Sequence, residues 1–246
     1  MPGLLILVPT LNEGANIAAT IRRIKSALKE ASILVIDDDS TDGTWQTATA
    51  MKEDVPGLDV MVRRAKPAGL GYSICDGYRY ALDQGFEEVC VVDCDLQQDP
   101  ADVNQLREKL DAADLVVGSR ALSADSFVEG YDSISRLLSG ISNLGIRILF
   151  RISCRDMTTD FFVMKTKVLK AVPPDDLRAT GYAFFAEVKL RASKAGFSIT
   201  EVPVPSYARN SGESKRSWRH VVAFAREILM VWIEMLKTRR GQPAVG

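Results

Sequence analysis

The chain has 246 residues, 46% hydrophobic and 26% charged, the size and make-up of one globular domain with a full core. A net charge of −1 gives no overall field for nucleic acid, so any attraction to anions must be local. A single histidine, His220, argues against His-based acid–base or triad chemistry, and no run of about 18 apolar residues exists to span a bilayer.

The start, Met1-Pro-Gly-Leu-Leu-Ile-Leu-Val8, is too short and uncharged for a signal peptide and passes directly into domain sequence. Leu4 to Val8 is predicted as a buried first strand stopped by Pro9. Thr10 or Asn12 is expected to cap the next helix, in which Ile17, Ile21, Ile24 and Leu28 recur at helical spacing. Ile33 to Ile36 reads as a second strand ending in Asp37-Asp-Asp-Ser-Thr-Asp-Gly43. Asp, Ser and Gly suit a turn, but four carboxylates in six residues exceed what a turn requires. Thr44 to Met51 follows as helix and Leu58 to Val62 as a third strand. Lys66-Pro-Ala-Gly69-Leu-Gly71 is a glycine turn feeding a helix from Ile74 to Gln84. Such a turn beside a lysine can hold phosphate at a helix start, though the pattern is weak alone.

Val89 to Val92 is a short apolar, β-branched run, the pattern of a strand buried on both faces. It stops at Asp93-Cys-Asp-Leu-Gln97. Carboxylates at i and i+2 on extended chain point the same way and repel unless something positive lies between them. Hard oxygen ligands suit Mg²⁺ or Mn²⁺, and at the C-terminal end of a parallel strand that cation would clamp a diphosphate. The plainer alternative is that Asp95 and Asp99 only cap the next helix, Ala101 to Leu110. A further strand, Leu115 to Gly118, closes on Ser119-Arg120. The β-α-β order puts the acidic loops and Arg120 on one edge of a parallel sheet, making residues 1–120 a nucleotide-binding half. Cys75, Cys90, Cys94 and Cys154 lack C-x-x-C spacing and are expected as reduced, buried thiols of a cytosolic protein.

Ser133 to Ile152 is helical and apolar, with Arg136, Arg147 and Arg151 as its only charges. Core packing is the default for such a helix; an interfacial helix is the sharper alternative. Asp156 to Asp160 is a polar turn, Phe161 to Met164 a strand, Gly181 to Gly196 a helix carrying Glu187, and Ile199 to Pro205 an edge strand. A basic loop from Tyr207 to Arg216, mobile by composition, includes Arg209 and Lys215. The last helix, about Trp218 to Thr238, has a wide apolar face with Phe224, Leu229 and Trp232, and Lys237, Arg239 and Arg240 beside it could meet anionic lipid.

Taken in order, Val8-Pro-Thr-Leu-Asn-Glu13, Ile36-Asp-Asp-Asp-Ser-Thr-Asp-Gly-Thr44, Gly69-Leu-Gly71, Asp93-Cys-Asp-Leu-Gln97, Val117-Gly-Ser-Arg120, Gly181-Tyr-Ala-Phe and Arg209 through Lys215 cover nearly all of residues 4–216. In this order and spacing the chain resembles the polyprenyl-phosphate sugar transferases of glycosyltransferase family 2, of the dolichyl-phosphate mannosyltransferase type. The resemblance implies an α/β GT-A fold with a mostly parallel sheet. It implies one domain over 1–216, with a nucleotide-sugar half (1–120) and an acceptor half (121–216), followed by an amphipathic helix and tail (217–246). Pro9, Leu11, Glu13, Ile36 and Asp38 would line the nucleoside pocket. Asp93, Asp95 and Gln97, with Cys94 between, would hold Mg²⁺ or Mn²⁺ against the donor diphosphate. Arg120, Arg209 and Lys215 would gather phosphates, with Asp95 and these three central to catalysis. Arg136 and Ser139 would meet the lipid phosphate. The donor would be GDP-mannose or a UDP-hexose and the acceptor polyprenyl or dolichyl phosphate. The protein would work peripherally at the cytoplasmic face of a membrane, its last helix holding it there, pairing two copies or docking a small membrane protein.

A polyprenyl phosphate is already an anion, so its oxygen can attack the anomeric carbon without a general base, and attack from behind inverts that centre. The chain departs from the family pattern in three places: Asp39 in place of glycine, Thr159-Asp160 in place of Ser-Gly, and Ser135 in place of a basic residue. A family 2 enzyme with a hydroxyl acceptor is the runner-up and would need Asp160 or Glu187 as base; the plainer alternatives are that Asp160 caps a turn and that Glu187 pairs with Arg191 four residues on. A sugar-nucleotide-binding protein without turnover, and a metal-dependent nucleotidyltransferase, fit the intact acidic motif and the first-strand loop less well.

Overall fold

A computed structural model describes residues 3–64, 67–95, 97–122, 133–205 and 218–240, with side chains outside 133–138, 218–222 and 236–240. Seven strands form one sheet: β1 (Leu4–Thr10), β2 (Ser32–Asp37), β3 (Leu58–Val62), β4 (Glu88–Val91), β5 (Leu115–Ser119), β6 (Phe162–Lys165) and β7 (Ile199–Pro203), in the spatial order β3-β2-β1-β4-β6-β5-β7. All neighbours pair in parallel except β6, which runs antiparallel between β4 and β5. That insertion interleaves the two sequence halves: a strand from beyond residue 120 separates two strands from before it.

Eight α-helices flank the sheet among the described residues: α1 (Ile17–Ala27), α2 (Thr44–Ala50), α3 (Leu70–Asp83), α4 (Asp102–Arg107), α5 (Ser133–Phe150), α6 (Lys167–Ala171), α7 (Ala183–Lys194) and α8 (Trp218–Arg240). The central strands are apolar on both faces. Leu5, Leu7, Leu34, Ile36, Val89 and Val91 pack toward α3 and α7, while Ile6, Val8, Ile33, Val35 and Cys90 pack toward α1 and α4. On α1, Ile17, Ile21 and Ile24 are wholly buried, each burial contributing about 1.5–3 kcal/mol. All four cysteines are free and buried, and burial pushes the thiols of Cys75, Cys94 and Cys154 up to about 12.

Several boundaries differ from the expectations for reasons the geometry supplies. β1 continues through Pro9 to Thr10, because proline can end a ladder without ending extended backbone. Neither Thr10 nor Asn12 caps α1: Asn16 occupies the cap position without a side-chain bond. Asn12 instead adopts φ 56° and its Oδ1 accepts from the Thr41 amide (3.0 Å), latching the first loop to the second. α3 starts four residues earlier than predicted. Its Gly71 amide donates to the Thr180 carbonyl (2.9 Å), and a Cβ at Gly71 would lie 2.6 Å from the Ala179 carbonyl oxygen. The glycine turn is therefore shaped by close backbone packing.

Candidate active site

In the order β3-β2-β1-β4 the chain reverses direction of growth at β1 and β4, and ligands of open α/β sheets bind at that point, beyond the strand ends. The C-terminal ends of β2, β4 and β5 deliver Asp37 and Asp38, then Asp93 and Asp95, then Arg120 to this one edge.

The four carboxylates after β2 do separate jobs. Asp37 is fully buried and accepts from Thr10 Oγ1 (2.8 Å), the Ser40 amide (2.7 Å) and Ser40 Oγ (2.7 Å). Asp42 accepts from the Gly14 amide (2.8 Å), bracing the first loop against the second. Asp38 forms a buried ion pair with Arg63 and also accepts from the Gly69 amide (2.9 Å) and Ser73 Oγ (2.9 Å). Arg63 in turn donates to Asp76 (2.8 Å). Burial opposes its charge, but Asp76 and Asp38 outweigh that and raise its pKa. Asp39 is exposed, as is Asp42, but carries φ 61° and has Arg64 at 3.6 Å. The excess acidity of this turn is thus mostly structural. Arg63 escaped the sequence reading, although an arginine just past a strand end beside acidic loops was the signal that singled out Arg120.

Gly69, expected as part of a phosphate turn, gives its amide to Asp38, and Gly71 gives its amide to Thr180, so neither N–H points at a ligand. Lys66 lies outside the described residues. Around the expected nucleoside pocket, Leu11 is 46% exposed and Glu13 accepts from Asn16 Nδ2 (2.9 Å), while Pro9 is half-buried. Ile36 is wholly buried in the core, so only its backbone can face a nucleoside.

At the end of β4, Asp95 is 8% exposed and its Oδ1 accepts from the Gln97 amide (3.0 Å); Asp93 and Gln97 are half-buried. Cys94, between them, turns into the core beside Thr20. No group of three or more His, Cys, Asp or Glu side chains suited to a metal occurs among the described residues. Two carboxylates and an amide oxygen are a hard, incomplete donor set, the kind that holds Mg²⁺ or Mn²⁺ when substrate phosphates complete it. The residues fit such a cation. Asp99, the alternative cap, accepts from the Ala101 amide (3.0 Å) and pairs with Arg23 (2.8 Å), so the capping role falls to it and leaves Asp95 to the strand end.

Beyond β5, Arg120 grips Asp156 with two parallel bonds, Nε to Oδ2 (2.9 Å) and Nη2 to Oδ1 (3.1 Å), and reaches Thr158 Oγ1 (3.3 Å). Burial alone would raise the Asp156 pKa, but Arg120 and then Lys189 hold it well below the usual carboxylate range. Lys189 is fully buried beneath this loop and donates to the carbonyls of Thr159 (2.6 Å) and Asp156 (3.3 Å). Desolvation lowers its pKa to about 8. Ser139 Oγ of α5 meets Thr158 Oγ1 (3.0 Å), and Asn143 Oδ1 accepts from the Met157 amide (2.8 Å), so the 156–160 loop ties Arg120 to α5. Asp160, half-buried, accepts from Gln98 Nε2 (2.6 Å), which bridges the acidic motif to the same loop. Neither Asp156 nor Lys189 had a motif to mark it. Arg136 lies on the first turn of α5 with its side chain outside the described residues, and Arg209 and Lys215 fall outside them altogether.

Glu187 is fully buried. It pairs with Arg191 (2.7 Å) and accepts from the amides of Arg178 (2.9 Å) and Ala179 (2.8 Å). It holds a turn, as its spacing from Arg191 suggested, and does not face the strand ends.

A largely parallel sheet with helices on both faces, an acidic pair at the switch point and an arginine beside it define the GT-A nucleotide-sugar transferase fold. Glucosyl-3-phosphoglycerate synthase from Mycobacterium tuberculosis, solved with Mn²⁺, UDP and phosphoglyceric acid, shares it: TM-score 0.68 at 19% identity, covering 100% of this chain and 81% of that one. The chain belongs to glycosyl transferase family 2, whose profile matches residues 5–172, and it is a glycosyltransferase. It is 31% identical over 213 residues to an undecaprenyl-phosphate mannosyltransferase of Micrococcus luteus, covering 87% of each chain. It is 30% identical over 218 residues to a polyprenol monophosphomannose synthase of Mycolicibacterium smegmatis (88% of this chain, 82% of the other). Against a dolichol-phosphate mannosyltransferase of Pyrococcus furiosus it is 30% identical over 234 residues, 92% of this chain and 63% of the longer relative.

Proposed function

We propose that the chain is an inverting, divalent-metal-dependent transferase that moves mannose from GDP-mannose onto a polyprenyl monophosphate at a membrane surface. The observation that carries this is the continuity of the site. The acidic end of β4 and Arg120 at the end of β5 share one sheet edge with β6 between them, and Arg120 is wired through Asp156 and Thr158 to Ser139 on a helix whose exposed face is apolar. The names of the relatives, which share most of their length with this chain, support the lipid phosphate and the mannose.

Asp93, Asp95 and the Gln97 amide would hold the cation, which supplies positive charge for the leaving nucleoside diphosphate. Asp156 fixes the Arg120 guanidinium, while Lys189 and Asn143 hold the loop that carries Asp156. The acceptor phosphate oxygen forms the new bond to the anomeric carbon. The bond to the donor diphosphate breaks, and its electron pair leaves with the nucleoside diphosphate. No proton has to be removed, which suits a site where Asp37, Asp38 and Asp156 are engaged in structure and Asp93 and Asp95 would hold the cation. The basic loop with Arg209 and Lys215, and Arg136, would add phosphate contacts, and residues 217–246 would form an amphipathic appendage to the 1–216 transferase domain.

Asp160 gives the hydroxyl-acceptor alternative its one concrete candidate, because it stands half-buried beside Gln98 on the acceptor side. The test is transfer of labelled sugar from GDP-mannose and from UDP-glucose to lipid, run with the wild type and Asp160→Asn. Label from GDP-mannose in the lipid phase, with less than a tenfold loss in the variant, is expected. A loss of 10²–10⁴, the usual contribution of a general base, would assign Asp160 to deprotonating a hydroxyl.

A further inference from the structure

Beside the 156–160 loop, on the flank of α5 between Asn143 and Leu144, lies a cavity of about 320 Å³ lined by Ala121, Gly140, Asn143, Leu144, Arg147 and Arg155. We propose that it binds the phosphodiester head group of an anionic bilayer phospholipid, a second lipid site distinct from the acceptor's. It rests on the reading of the acceptor as lipid-borne.

Three observations converge. Arg147 Nε is buried without a hydrogen-bond partner, and neither Arg147, Arg151 nor Arg155 forms an ion pair among the described residues. A buried donor left unsatisfied is costly, and a phosphate oxygen is the acceptor a guanidinium binds best. Next, residues 133–155 contain four arginines and no acidic residue. Among the described residues, the two carboxylates bonded to the lining or next to it are already engaged: Asp156 by Arg120, and Glu201 by the amides of Arg155 (2.8 Å) and Asp156 (3.0 Å). Finally, the cavity borders an apolar stripe. Ile141, Leu144 and Ile148 are 60%, 56% and 70% exposed, and at 3.6 residues per turn they fall within about 60° of one another. Leu144 belongs to both stripe and cavity. On neighbouring α8, Leu229, Met230 and Ile233 are exposed as well.

The angular order around α5 separates the functions. Ser139 and Asn143 face the loop held by Arg120; Gly140 and Arg147 come next; the apolar stripe follows. Arg147 is also 11 residues from Arg136, roughly 16 Å along the axis at 1.5 Å per residue. With the stripe in the acyl boundary, the cavity lies at head-group depth, where each arginine near an anionic surface favours binding.

The test is flotation of the full chain with vesicles of phosphatidylcholine alone and of phosphatidylcholine mixed with phosphatidylglycerol. The wild type is expected to prefer the anionic vesicles. Arg147→Gln with Arg155→Gln should weaken that preference roughly tenfold to thirtyfold, while Arg22→Gln with Lys29→Gln leaves it in place. Arg155→Gln alone, at an exposed position, guards against misfolding and should give part of the loss. Wild-type affinity in the double variant would overturn the assignment. So would inorganic phosphate that stabilises the wild type but not the variant in a thermal melt, which would make the cavity a site for free phosphate. Transfer to detergent-solubilised polyprenyl phosphate reports separately on the acceptor: it should survive in the double variant, and its absence from the wild type would strike the proposed function instead.

Discussion

The central pair of residues is Asp93 and Asp95, and their consequence is the easiest to test. Asp95→Asn should lower kcat by 10²–10³ or more with an unchanged melting temperature, because it removes a ligand rather than a core contact. Activity in the variant that is independent of added metal would contradict the role. Arg63 makes the opposite prediction. Replaced by Met, it leaves the buried Asp38 carboxylate without its cation and Asp76 with Arg79 alone, and urea unfolding should show a loss of about 3–5 kcal/mol. Asp39, at φ 61° where the family resemblance implies glycine, marks a third kind of residue. Asp39→Gly should stabilise by about 1 kcal/mol through relief of left-handed backbone, and Asp39→Val should destabilise by at least as much. The departure from the family pattern at this position is legible in the sequence; its cause, a backbone angle, is not. The same divide runs through the acidic turn. Its composition announced a site, yet Asp37 and Asp42 proved to be braces, because which oxygen meets which amide depends on loops 28 residues apart.

Among the elements, the 156–160 loop is held from three sides, by Arg120, Asn143 and Lys189. Lys189 gives it a pH signature. Its pKa is about 8 folded against 10.5 in the ordinary state, so between those values the unfolded chain binds the extra proton and stability rises with pH. Relative to Lys189→Met, the wild type should gain on the order of 3 kcal/mol from pH 8 to 10.5, read from urea midpoints. A parallel pH dependence in the two proteins would show that Lys189 is not buried as a cation. Helices and strands were readable where apolar periodicity is strong, as in α1, α5 and the β-branched core of β4. The antiparallel placement of β6 was not, since a four-residue strand carries no mark of direction or neighbour. Yet that strand brings Asp160 and the loop beside the acidic motif.

For the whole molecule, one sheet edge gathers the acidic pair Asp93 and Asp95, a fixed arginine and, through α5, an apolar surface. No helix of the described residues is long and apolar enough to cross a membrane; the exposed apolar faces of α5 and α8 are the surfaces that the proposed function would set against lipid. The ordered motifs made family and fold legible across most of the chain; the head-group cavity was not, because its lining comes from three separated segments. The central claim is that the nucleophile arrives as a phosphate anion and needs no base. The most direct test offers the enzyme polyprenyl phosphate, polyprenol and a soluble sugar in parallel, each with labelled GDP-mannose and Mn²⁺ or EDTA. The account predicts label on the lipid phosphate alone, abolished by EDTA. Transfer to the alcohol or the sugar at a comparable rate, or transfer that persists in EDTA, would contradict it.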